Sequence, residues 1–98
     1  MNSEVDKDLK RAEIIINGFV QGVGFRWYVL KIAQQLGLKG YVKNLYTGEV
    51  LAAVEGEKTL IEELFYKMKI GPSHSAVKNA KINWEEFKNE FKTFEIRH

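Results

Sequence analysis

The sequence predicts a single α+β domain, a split β-α-β sandwich in which an antiparallel sheet carries two helices on one face. Three observations lead there. The hydrophobic period switches between strand-like and helix-like along the chain in the order β-α-β-β-α-β. Glycine-bearing turns fall between those segments. Ninety-eight residues with 45% hydrophobic and 12% aromatic content suffice for one two-layer core and no second domain.

Residues 1–11 are polar and charge-dense and read as a solvated N-terminal tail, with the folded domain spanning residues 12–98. Glu13-Ile14-Ile15-Ile16 is a β-branched run expected as a buried strand. Phe25, Val29, Ile32, Ala33 and Leu36 recur at helical spacing, so a helix begins near Phe25, with Gly37 as its left-handed C-terminal residue. Residues 40–55 form a hairpin turning at Tyr46-Thr47-Gly48-Glu49, and Gly56 ends it. Thr59 and Glu62 have capping-box spacing ahead of the stripe Ile61, Leu64, Phe65 and Met68, a second helix that Gly71-Pro72 stops. Ala80, Ile82 and Trp84 alternate with polar residues as a strand with one buried face, which makes Trp84 a core residue. Phe94 and Ile96 mark a short last strand, completing a ferredoxin-like order with a C-terminal addition.

Composition narrows the chemistry. A net charge of +2, from 15 basic and 13 acidic residues, is far from the basicity of a protein dominated by nucleic-acid backbone contacts. The absence of cysteine excludes a disulfide framework, a thiol nucleophile and a thiolate-ligated metal. No stretch approaches the roughly 18 apolar residues of a membrane span, and the N-terminus lacks a signal-peptide core. A cytoplasmic monomer is expected, with no cofactor, no nucleic-acid partner and no membrane partner.

The run Asn17-Gly18-Phe19-Val20-Gln21-Gly22-Val23-Gly24-Phe25-Arg26 joins the first strand to the first helix. A helix start presents free N–H groups and the positive end of the helix dipole, a setting that favours a phosphate-like anion. Gly22 and Gly24 allow the backbone to approach such oxygens closely. Arg26 is one of three arginines against twelve lysines. A guanidinium forks two parallel hydrogen bonds onto a phosphate, whereas the bland reading is a surface ion pair. Asn44, at the end of the second strand, is either a turn residue or an amide that holds a water. His74 and His98 lack metal-ligand spacing and read as structural or solvent-exposed. Trp27 and Tyr28 fit packing at a helix start, with one of them a candidate to flank a pocket. The adjacent pairs Glu62-Glu63 and Glu85-Glu86 point in different directions and read as solvated faces.

Val20-Gln21-Gly22-Val23-Gly24-Phe25-Arg26, followed by Leu36-Gly37-Leu38-Lys39-Gly40-Tyr41-Val42-Lys43-Asn44, resembles the acylphosphatase signature. The resemblance extends from about Ala12 to the end. It implies metal-independent hydrolysis of the carboxyl–phosphate bond of a small acyl phosphate, without a covalent intermediate. It further implies that Arg26 and the loop residues Gln21, Gly22, Val23, Gly24 and Phe25 bind the phosphate, and that Asn44 orients the attacking water. The sequence departs from the family pattern in having Thr47-Gly48 for Asp-Gly at the hairpin tip and Gly71-Pro72-Ser73 for Gly-Pro-Pro. Phe19 also stands where a polar or basic residue is usual. The rival readings are a catalytically silent module binding phosphate or carbamoyl phosphate, and a ferredoxin-like RNA-binding domain. The latter needs exposed aromatics on its central strands, and neither Glu13–Ile16 nor Val50–Val54 supplies one.

Overall fold

The computed structural model describes residues 8–98. Its elements are β1 (Leu9–Phe19), α1 (Phe25–Gln35), β2 (Lys39–Asn44), β3 (Val50–Glu57), α2 (Lys58–Ile70), β4 (Ala76–Glu86) and β5 (Phe94–Arg97). They form one five-stranded sheet in the order β4-β1-β3-β2-β5. The expected α+β architecture is present, and β5 adds one parallel pairing, alongside β2, to an otherwise antiparallel sheet. Alternation sorts the central strands: Ala12, Ile14 and Ile16 of β1 and Val50, Ala52 and Val54 of β3 are buried in the main core. Against them α1 sets Phe25, Val29 and Ala33 and α2 sets Ile61, Leu64 and Met68, the helical stripes anticipated from spacing. The Tyr28 hydroxyl ties the helices together by donating to the Lys67 carbonyl at 2.8 Å, and burial holds that phenol above its ordinary pKa.

Local details differ from expectation for physical reasons. The polar tail expected over residues 1–11 gives way to β1 at Leu9, because Lys10 and Arg11 pair with both neighbouring strands; residues 1–7 lie outside the described part. The capping box at Thr59 and Glu62 does not form. Strand β3 runs past Gly56 directly into α2, whose N-cap is Glu57 without a side-chain cap bond. The Lys58 N–H instead donates to the Asp8 carbonyl at 2.9 Å, so the neighbouring chain satisfies an orphan donor of the helix start. Strand β4 begins at Ala76 rather than near Ala80, its first residues pairing with Gly18 and Phe19 beyond a register shift. Trp84 is not a core residue: it lies on an edge strand, is 38% exposed, and has the Lys58 ammonium 5.6 Å from its ring centroid.

The segment joining β4 to β5 is anchored by a buried carboxylate. Glu55 is 3% exposed and accepts N–H bonds from Lys88 at 2.7 Å, Glu90 at 2.8 Å and Phe91 at 3.3 Å. Arg11 stands 3.8 Å from it and also pairs with Glu85 at 3.1 Å and Glu90 at 2.6 Å. Glu85, read from sequence as part of a solvated pair, is thus a cross-strand partner. Burial opposes ionisation of Glu55, but the three N–H donors and Arg11 outweigh it and hold the carboxyl below its ordinary value. This anchor carries the chain to the sheet edge where β5 lies beside β2.

Candidate active site

Residues 20–24 turn from β1 into α1 through two left-handed positions, Gly22 at φ 75° and Gly24 at φ 78°. A Cβ at either position would have no atom within 4 Å, so the requirement for glycine is conformational. Gly24 caps α1, with its carbonyl accepting the Tyr28 N–H at 3.1 Å. Among the described residues, none of the N–H groups of Gln21–Arg26 donates to a side chain or to a loop, turn or cap carbonyl. The loop therefore presents uncommitted donors at the positive end of α1.

Its side chains serve a different purpose. Phe25 is buried in the core, and Val23 packs partly buried against it, so these two residues can offer a ligand only their backbone. The Gln21 amide turns away to the β2–β3 hairpin, donating to the carbonyls of Leu45 at 2.8 Å and Glu49 at 3.0 Å. Those same residues close the hairpin, the Leu45 N–H donating to the Glu49 carbonyl at 2.8 Å. Gln21 thus fixes the loop to the hairpin that begins where Asn44 ends β2.

Two connected hollows bring the sequence-predicted residues together. One, of about 170 Å³, is lined by Gly22, Gly24, Phe25, Arg26 and Asn44. The other is a cleft of about 480 Å³ lined by Gln21, Arg26, Lys43, Asn44 and His98 among others. Arg26 and Asn44 border both, which places the guanidinium, the amide and the loop backbone around one space. Asn44 Oδ1 is buried and has no hydrogen-bond partner in the described protein. A buried acceptor left unpaired costs about 1–3 kcal/mol, and a turn role would have given it a backbone partner. Val23 is the one predicted loop residue that borders neither hollow.

His98, read from the sequence as structural or solvent-exposed, is exposed and also borders the cleft, which no sequence signal indicated. Its Nδ1 lies 3.2 Å from Arg26 Nη1; a guanidinium only donates, so Nδ1 is the acceptor. No local pattern carries this contact, because it depends on β5 lying parallel beside β2. The other histidine, His74, sits in the β4 approach with φ 71° and lines neither hollow. Trp27 and Tyr28 divide as their helical positions dictate: Tyr28 packs inward, and Trp27 is 65% exposed at the small hollow's rim.

Fold and cleft together define a class: small α+β domains with a cleft at the glycine loop that starts the first helix. Comparison with known proteins makes the class specific. The acylphosphatase family model matches residues 12–96. An acylphosphatase of Moorella thermoacetica is 44% identical over 89 residues, covering 91% of this chain and 95% of that protein. One from Caldanaerobacter subterraneus is 40% identical over 87 residues, covering 89% and 97%. The crystal structure of acylphosphatase from Bacillus subtilis superposes with a TM-score of 0.87 at 31% identity, covering 93% of this chain and all of that one. The chain belongs to the acylphosphatase family, hydrolases that act on the acid anhydride of acyl phosphates.

Proposed function

We propose that the chain hydrolyses acyl phosphates at the cleft between the Gln21–Arg26 loop and Asn44, with no metal and no covalent intermediate. The observation that carries this reading is the convergence of Asn44, Arg26, Gly22 and Gly24 on one hollow, with Asn44 Oδ1 uncommitted to any donor among the described residues. Loop N–H groups and the Arg26 fork surround the three non-bridging oxygens of the phosphoryl group and stabilise charge on them as the transition state forms. The Asn44 side-chain amide hydrogen-bonds the attacking water and sets its oxygen in line with the phosphorus–acyl oxygen bond. As the water oxygen bonds to phosphorus, the bond to the acyl oxygen breaks. The electron pair leaves with the carboxylate, and the water's protons pass to phosphate and solvent. A carboxylate leaves readily as the anion, so the step needs no general acid.

The test is initial-rate hydrolysis of benzoyl phosphate in the presence of EDTA, with variants checked for folding by circular dichroism. Arg26→Ala is expected to lose roughly 10³-fold or more in kcat/KM, and Asn44→Ala on the order of 10²-fold in kcat. Retained activity in both folded variants would sink the assignment. An inert native protein would leave the cleft a phosphate-binding site only.

A further inference from the structure

Arg26 borders three hollows, the small one at the glycine loop, the cleft beside it and a third between α1 and β5, so its guanidinium has more than one direction open to it. Among the described residues it forms no ion pair, and the side-chain hydrogen bond it makes is the one to His98 Nδ1 at 3.2 Å. We propose that His98 is a positioning residue for the reaction: its neutral imidazole holds the Arg26 fork ready for phosphate, and protonation releases the fork, so that turnover falls in mild acid. The inference rests on the hydrolytic reading above and adds to it a control on the phosphate-binding group.

The sheet brings the two side chains together. Strand β5 lies parallel to β2 with Arg97 paired to Lys43, and one further step of that register sets His98 level with Asn44. The Arg97 guanidinium stacks on the Tyr41 ring, 4.1 Å from its centroid, and pins the end of β5 where His98 leaves it. A neutral imidazole suits the task. Its Nδ1 takes one N–H of Arg26 and leaves the other donors for the two parallel bonds of a phosphate, with the positive charge of the guanidinium intact. A carboxylate in the same place would compete with the phosphate for that charge. Glu95, the carboxylate of β5, turns instead onto Arg97 at 2.8 Å. Holding a long side chain before the substrate arrives also lowers the ordering cost of binding. An imidazole changes charge between pH 5 and 8. Once protonated, both of its nitrogens are donors, so an Nδ1–H would face the Arg26 Nη1–H with like charges on the two groups, and the contact opens. The other charged or titratable groups around His98 are Lys43 from β2 and Tyr46 from the hairpin, which line the cleft with it, and the mutually paired Glu95 and Arg97 of β5.

The discriminating measurement is kcat/KM for benzoyl phosphate from pH 5 to 8 on the full chain, for the native protein, His98→Ala and His98→Gln. Ratios between proteins at one pH cancel the titration of the substrate. At pH 8 the native protein should exceed His98→Ala by about threefold or more, the effect of one hydrogen bond near solvent, and at pH 5 the two should converge. The glutamine oxygen accepts an N–H from Arg26 and does not titrate, so His98→Gln should match the native rate at pH 8 and stay ahead of His98→Ala at pH 5. A native-to-alanine ratio near one at pH 8, a ratio that does not change with pH, or a glutamine variant as slow as the alanine variant at pH 8 overturns the proposal. Sulfate, a dianion across this range, gives a readout without turnover: it should raise Tm more for the native protein than for His98→Ala at pH 8 and equally for both at pH 5. An inert native protein that shows this sulfate difference loses the hydrolytic reading and keeps the contact between His98 and Arg26. An active one that shows no difference in either readout loses the His98 assignment alone.

Discussion

Replacing Glu55 with glutamine tests whether a single buried carboxylate holds the far end of the chain in place. The two side chains have nearly the same volume, so packing is held constant. Glu55 receives three backbone N–H bonds on its two oxygens, Lys88 on Oε2 and Glu90 and Phe91 on Oε1. A glutamine has one oxygen, and its NH2 group must face a donor. If the oxygen stays with Glu90 and Phe91, the Lys88 bond is lost outright, the other two fall from charge-assisted to neutral, and Arg11 loses a buried counter-charge. Hydrogen bonds to charged groups contribute about 1.5–3 kcal/mol each and neutral ones about 1, so the change should cost about 3 kcal/mol. That is a large share of the roughly 5–15 kcal/mol stability of a domain of this size. Urea unfolding at pH 7 reads it directly, as a lower midpoint at unchanged slope. Acid supplies a second readout. The folded carboxyl sits below its ordinary value of 4.5, so its contribution is complete above that pH and is lost as pH falls through the folded-state value. Native stability should therefore decline in acid more steeply than that of Glu55→Gln. A loss below about 1 kcal/mol at neutral pH, or parallel acid profiles, would refute the idea that this carboxylate anchors the segment to β5.

Two further predictions concern the site and its frame. Gln21→Ala removes two amide bonds to the hairpin and should cost about 1–3 kcal/mol of stability. It should lower kcat more than it weakens inhibition by inorganic phosphate, since the cradle's N–H groups and Arg26 stay while Asn44 loses its lateral support; steady-state kinetics with phosphate as inhibitor separates the two. Gly40→Ala places a Cβ 1.8 Å from the Ala53 carbonyl oxygen at a φ of 144°, and the backbone of the β2–β3 pair must move. A destabilisation of about 3 kcal/mol or more is expected, measured by thermal or urea unfolding.

Much of the fold is legible in the chain because it rests on local rules. The stripes Phe25, Val29, Ala33 and Ile61, Leu64, Met68 repeat at helical spacing, and the left-handed positions at Gly37 and Gly48 fall where a helix or hairpin must turn. The two motif residues also sit where those rules put them, Arg26 in the first turn of α1 and Asn44 at the end of β2. Local rules failed where a neighbouring strand offered a better partner. Thr59 and Glu62 form no capping box because α2 has its N-cap two residues earlier, at Glu57, with the Lys58 N–H on a carbonyl from Asp8. Trp84 obeys the alternation of a strand, yet alternation says nothing about whether the strand is central or an edge.

By itself the sequence determined the α+β order, the conformation of the glycine loop and the chemistry at hand: an arginine, an amide and free N–H groups. Periodicity, φ preference and donor inventory are properties of short segments, so they survive without the rest of the molecule. The tertiary structure decided which of these groups share a space. It turned the Gln21 side chain into a brace for the hairpin, left Asn44 Oδ1 buried without a partner, and set His98 against Arg26. The last of these depends on the parallel docking of β5 beside β2, and the brace on the pairing of β1 and β2 with β3. They are contacts between residues far apart in sequence, and only the packed sheet brings such residues within reach.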